Sequence, residues 1–235
     1  MAVAFVQATE VESSGAVASL GATFASATTS GNFLVAMLYL FQASTYTVTD
    51  SQSNTYTKDK DGVNANDTVA IWRTFASGAT TATITLTNTG GDKTCALAIA
   101  EFSGVEGTPT VEGTNSNADT PPGGSTAPSS GSVTPADDGS LFIGNMAHDD
   151  GTTTPTTTAP FSTINNSTTA RGVNASYYVQ PTAGAQAAAW GLAAGRDCIS
   201  IVAVYKAASG GGGGGGTTTR RFLYRRVGSR GVQYA

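Results

Sequence analysis

The chain has 235 residues, with 12 Lys and Arg, 16 Asp and Glu, one His and two Cys, and only 12% of it is charged, about half the usual quarter. Two cysteines cannot staple a chain of this length. No apolar run approaches the ~18 residues of a membrane span. Heavy use of Thr and Ser, which favour strands and turns over helix interiors, excludes an all-helical protein.

Short strand signals recur along the chain. Val3–Ala8 and Val17–Ala27 come first, then Phe33–Phe41, Thr45–Thr49, Val69–Phe75, Thr81–Thr87 and Cys95–Phe102. Leu141–Ala147, Ala175–Gln180, Gln186–Leu192 and Cys198–Tyr205 follow after a gap. Gly-, Asn-, Asp- and Ser-rich breaks separate them, the pattern of a sandwich or barrel. In Thr81–Thr87 the alternation points Ala82, Ile84 and Leu86 inward and the threonines to water. Phe33–Leu40 and Cys198–Tyr205 are nearly continuous apolar runs, which predicts central strands covered on both faces. The stretch from Gly104 to Thr134 reads as a connection, partly strand at Thr110–Thr114, and Gly151–Pro160 as an exposed loop.

Three segment pairs repeat in order. Gly31–Met37 parallels Gly139–Asn145, Ala70–Gly78 parallels Ala175–Gly184, and Asp92–Phe102 parallels Asp197–Tyr205. The expectation is an all-β, jelly-roll-like antiparallel β-sandwich over residues 1–209. An internally duplicated half, with repeats at 14–104 and 120–206, is one way to build it. The two half-sandwiches would then pair about a pseudo-twofold, each with its last strand central. Convergence on "strand, turn, strand" is the other explanation of the likeness.

Charge is distributed unevenly. Residues 1–209 hold all 16 acidic and seven of the 12 basic residues, a formal balance of −9, and residues 210–235 carry five arginines and no acid. Seven glycines, Gly210–Gly216, open a 210–219 linker, because each glycine loses the most backbone entropy on ordering. After it Arg220, Arg221, Phe222, Tyr224, Arg225, Arg226, Arg230 and Tyr234 mix guanidinium groups with aromatic rings. Both are favoured at protein interfaces, so 220–235 reads as a flexible anchoring tail. Arg and aromatic side chains also suit single-stranded nucleic acid, but an acidic body repels a polyanion, which favours a protein partner.

Catalytic signals are sparse. His148 is the single histidine, in Met146–Asp150, and reads as an exposed residue where a strand enters a loop. A hydrolase would need it as a base with Asp149 or Asp150. Asp59–Asp67 has oxygen-rich spacing but lacks the EF-hand arrangement, and reads as a polar hairpin turn rather than a calcium loop. Glu101 shares a strand face with Cys95, Leu97 and Ile99, which predicts a partly buried, hydrogen-bonded carboxylate. Cys95 and Cys198 open matching strands and read as buried thiols, or as neighbours across a twofold. Trp72, Tyr177, Tyr178 and Trp190 could make a sugar-stacking surface, though core packing is the plainer role. No catalytic, cofactor-binding or metal-ligating residue is assigned. The three Asn-x-Ser/Thr sequons, at Asn66, Asn166 and Asn174, read as chance in a Ser/Thr-rich chain.

The segments Gly31–Tyr39, Val48–Thr57, Ile71–Phe75 and Ala98–Gly104 together give a resemblance. Residues 14–205 resemble a broad group of β-sandwich proteins from tailed-phage genomes and bacterial surface proteins. The resemblance implies a non-enzymatic virion or surface β-sandwich and carries over no catalytic residue. The N-terminus has neither the basic region nor the apolar core of a signal peptide. The expectation is therefore a virion protein assembled in the host cytoplasm. A capsid decoration or cement protein leads, followed by a tail or fibre component and by a carbohydrate-binding or adhesin module. Its partners would be other virion proteins and further copies of itself, with no membrane and no cofactor.

Overall fold

The computed structural model describes residues 1–42, 45–64, 67–107, 111–119, 124–149, 153–167 and 172–209. The described chain is all-β, with antiparallel pairing throughout. Its first half runs β1 (Ala4–Glu12), β2 (Ser19–Thr23), β3 (Phe33–Phe41), β4 (Tyr46–Asp50), β5 (Thr57–Val63), β6 (Asp67–Phe75), β7 (Thr83–Asn88) and β8 (Cys95–Ser103). The second half runs β9 (Val111–Asp119), β10 (Leu141–His148), β11 (Thr156–Thr157), β12 (Ser162–Asn166), β13 (Asn174–Val179), β14 (Trp190–Gly191) and β15 (Cys198–Tyr205).

Each half makes two sheets. In the first, a five-stranded sheet of order β1-β8-β3-β6-β5 is covered by a three-stranded sheet, β2-β7-β4. In the second, a five-stranded sheet of order β12-β13-β10-β15-β9 is covered by the β11-β14 ribbon and by segments bridged at Ser125, Ser129 and Val133. The two large sheets carry one strand order: β1, β8, β3, β6 and β5 correspond in turn to β9, β15, β10, β13 and β12. The turns that close them also correspond. Gly31 N donates to Ala76 O at 2.8 Å and Ala76 N to Asn32 O at 2.9 Å. In the second half Gly139 N donates to Gln180 O at 2.8 Å and Gln180 N to Ser140 O at 2.9 Å. Gly31 and Gly139 both have positive φ, +83° and +79°, which explains a glycine at each.

The two large sheets pack face to face. Phe33, Val35, Met37 and Tyr39 of β3 meet Leu141 and Ile143 of β10 and Ile199, Ile201, Ala203 and Tyr205 of β15 in a central core. The alternate residues of β3, Leu34 to Leu40, enter a second core with Ala22, Phe24, Ile84 and Leu86. On the far side Phe142, Met146, Val202 and Val204 pack with Phe161, Trp190 and Leu192 in a third. This layering explains the continuous apolar runs, because every residue of β3 except Phe41, and every residue of β15, is buried on one face or the other. In β7 Ile84 and Leu86 point inward and the intervening threonines are half-buried in the covering sheet.

Polar groups also cross the central core. Asn145 Nδ2, on β10, donates to Leu38 O at 2.9 Å and Ala70 O at 3.3 Å in the opposite sheet. The Tyr205 hydroxyl donates to Asp59 Oδ2 on β5 at 2.8 Å. Gly62 lets β5 approach β15: a Cβ there would stand 2.8 Å from Ile201 Cγ2 and 2.9 Å from Ile199 Cδ1.

Several expectations are corrected. Each half forms a complete sheet pair instead of one half of a shared sandwich. The last strands, β8 and β15, are interior but lie second from an edge, with β3 and β10 at the centres. The Asp59–Asp67 stretch is not a turn alone, since Thr57–Val63 and Asp67–Phe75 are paired strands. The 104–134 connection contains the nine-residue β9, which pairs along β15. Ser162–Asn166 adds an unpredicted edge strand, and Gln186–Leu192 shrinks to Trp190–Gly191 with isolated bridges at Gln186 and Ala189.

Gly62→Val tests the close sheet contact. Overpacking should cost about 1–3 kcal/mol, read as a lower denaturant midpoint with an unchanged slope. An unchanged midpoint would mean that the sheets separate there freely.

Candidate functional site

The residues expected to carry the anchoring function, Arg220, Arg221, Phe222, Tyr224, Arg225, Arg226, Arg230 and Tyr234, lie outside the described residues. The structure does describe the place from which that segment departs. Ser209 lines a groove of about 740 Å³, bounded by the chain's first residues, Asp137–Gly139, Val179, Pro181 and Lys206–Ala208. Backbone bonds hold it together. The N-terminal ammonium donates to Ala208 O at 3.2 Å, and Ala208 N donates to Gly104 O at 2.7 Å. Gly104 has φ +75°, and a Cβ there would stand 2.2 Å from Ala2 O, so glycine is required for the chain start to lie against it.

The groove's lining carries two carboxylates, Asp137 and Asp138, and two cations, Lys206 and the N-terminal ammonium, with Glu106 and Glu112 close to Lys206. Lys206 Nζ pairs with Asp137 Oδ2 at 2.9 Å. The Lys206 ammonium is held above its ordinary pKa by its hydrogen bond to Asp137, by the Asp137 charge, and by Glu106 and Glu112. Asp138 Oδ1 accepts the Ala183 N–H at 2.7 Å. Glu112 accepts the Asp137 N–H at 3.2 Å and the Ser140 hydroxyl. Met1, which lines the groove, and Phe5 and Val6 on β1 are three of the four exposed large hydrophobic side chains among the described residues.

The other candidates fall apart as constellations. His148 is 1% exposed, which corrects the exposed reading. It ends β10 opposite Cys198, on the face that the segments around Trp190 cover. A smaller hollow of about 310 Å³ adjoins Asp149, with Arg196 and Asp197, but His148 does not line it. Asp150 lies outside the described residues. Asp59, Asp61 and Asp67 turn to separate partners: Arg73 and Tyr205, Lys58, and Tyr39. Among the described residues no group of three or more His, Cys, Asp or Glu stands close enough to hold a metal. Glu101 is fully buried, deeper than expected, and accepts hydrogen bonds from Gln7 Nε2 at 2.6 Å, Asn32 Nδ2 at 2.7 Å and Thr29 N at 2.8 Å.

The four aromatic residues form no common surface. Trp72 meets Tyr46 edge-on, Tyr177 stacks on Phe5, Tyr178 packs with Phe142 and Phe161, and Trp190 is in the third core. Cys95 and Cys198 are buried and in no disulfide, and lie in the second and third cores, on opposite sides of the central one.

Sequence reasoning missed a buried ionic cluster. Arg73 Nε stands 2.9 and 2.8 Å from the two Asp59 carboxylate oxygens. A basic residue inside the aromatic run of β6 was the available signal, since a cation there must find an anion. Burial pushes the Asp59 carboxyl above its ordinary pKa, while the Tyr205 hydroxyl and the Arg73 guanidinium pull it back. No family model, curated protein or solved structure matches the chain.

Arg73→Ala leaves Asp59, whose side chain is 3% exposed, without its cation, and should cost about 3–5 kcal/mol in urea unfolding. Because the folded pKa of Asp59 is raised, its stabilising contribution is full below its unfolded pKa and is lost as pH rises through the folded one. Asp59→Asn should therefore gain on the wild type as pH rises through the carboxylate range. A constant difference would contradict that sign.

Proposed function

We propose that the chain is a non-enzymatic structural protein of a tailed-phage particle, a capsid decoration or cement protein that docks through its Arg-rich C-terminal segment. The observation that carries this reading is the charge division: a −9 body, then seven glycines, then five arginines interleaved with aromatic rings. A flexible leash with a sticky end multiplies avidity on a repeating lattice, because each further attachment is intramolecular. The partners are other virion proteins and neighbouring copies, and the place of action is the particle surface.

The architecture supports the scaffold half of this reading. An eight-strand jelly roll numbered along its chain has one sheet in the order 1-8-3-6 and the other as 2-7-4-5. The first half of this chain has β1-β8-β3-β6 and β2-β7-β4, with β5 joined beside β6. We read both halves as jelly rolls descended from one duplicated unit, since strand order and closing turns recur. Jelly rolls are common capsid building blocks. A capsid position is favoured over a tail or fibre position because a short, compact body with a leash suits a lattice. Among the described residues the glycan-binding alternative finds no convergent aromatic surface.

Truncation after Ser209 removes the docking segment and leaves all fifteen described strands. Occupancy on particles should fall by roughly tenfold or more, with the melting temperature unchanged. Undiminished occupancy would end the anchoring reading.

A further inference from the structure

The groove at the chain ends has an apolar floor and an acidic rim, and both properties match the segment that departs from its lip. Val3, Val179, Pro181 and Ala207 supply the apolar part of its lining. Asp137 and Asp138 supply the rim. Residues 220–235 contain Phe222, Leu223 and Tyr224 between two arginine pairs, and no acid. At about 740 Å³ the groove falls within the ~300–1,000 Å³ range of sites that enclose a ligand's side chains.

We infer that this groove seats residues 220–235 of a second copy of the chain, so that two copies exchange C-terminal arms. The inference rests on the reading of that segment as a docking element and names its partner. Ser209 lines the groove, so two copies meeting groove to groove across a twofold place each departure point beside the other's groove. A ten-residue Gly/Thr linker has a root-mean-square reach of roughly 17 Å, enough for that crossing. Arg220 and Arg221 then face Asp137 and Asp138, and Phe222 and Tyr224 cover the apolar lining. Lys206 and the N-terminal ammonium offset two of the four carboxylates gathered here, Asp137, Asp138, Glu106 and Glu112, which leaves two acids for the arginines.

The test uses full-length chains in sedimentation equilibrium. The groove variant carries Asp137→Lys and Asp138→Lys. The tail variant carries Arg220→Ser, Arg221→Ser, Arg225→Ser and Arg226→Ser. Ala2→Arg provides a second groove variant that leaves the Lys206–Asp137 pair intact. Wild type should dimerise, and each variant alone should dimerise roughly tenfold more weakly, the loss expected for a few charge pairs at an interface. Mixing groove and tail variants should form a heterodimer held by one arm, because one partner supplies a sound tail and the other a sound groove. Rising salt should weaken the wild-type dimer. A monomeric wild type, a groove variant that dimerises as tightly as wild type, or a mixture with no heterodimer would overturn the proposal. If the groove variants self-associate normally while Ser209 truncation still removes the protein from particles, the exchange is wrong and the anchoring reading stands.

Discussion

The contact of the two five-stranded sheets is the constraint on which the rest of the structure depends. Each sheet needs cover on both faces, and its own half covers only one. The other face, with Phe33, Met37 and Ile71 on one side and Ile143, Ile201 and Tyr205 on the other, is buried only by the opposite half. Separating the halves would expose this apolar surface, at ~25 cal/mol for each Å². The polar ties across the same core add registry to that attraction. Asn145 reaches the backbone of β3 and β6, and Tyr205 reaches Asp59. An unmatched slide would leave these groups buried without partners, which costs more than their bonds contribute.

This arrangement brings Met1 and Ser209 together. The bonds among Met1, Gly104 and Ala208 put the start of the chain, the link between halves and the exit of the C-terminal segment at one end of the stack. The acids gathered there and the arginines beyond Ser209 are separated only by glycine and threonine. That the arginine-rich segment departs beside these acids is thus a consequence of where β1, β8 and β15 terminate. Covering both large sheets leaves β1, β5, β9 and β12 as their edges. The charged run Lys58–Asp61 on β5 and the bulge near Phe5 on β1 discourage uncontrolled edge pairing.

Much of the fold was legible because burial leaves a strong periodic trace. Phe33–Phe41 and Cys198–Tyr205 matched observed strands end to end, and Gly31 and Gly139 marked equivalent turns. The edge strands were obscure. β5 is Thr-Lys-Asp-Lys-Asp-Gly-Val and β9 is Val-Glu-Gly-Thr-Asn-Ser-Asn-Ala-Asp, and an edge needs few apolar side chains because part of it faces water. Four-layer stacking was hidden for a different reason. An apolar strand records that both faces are covered, but not whether its own half or another covers them. The groove was illegible because its walls come from residues near 2, 138, 180 and 207. The arginine-rich segment 220–235 was visible in composition alone.

The central claim is that the two halves share one core and therefore fold as one unit. The two tryptophans report on them separately, Trp72 on the outer side of the first half and Trp190 in the third core. Urea unfolding of Trp72→Phe and of Trp190→Phe, each followed by fluorescence and by far-ultraviolet circular dichroism, compares one half with the whole chain. The account predicts that within each variant the two transitions coincide. Fluorescence that completes its change while half of the circular dichroism signal persists would show two independent bodies and contradict it.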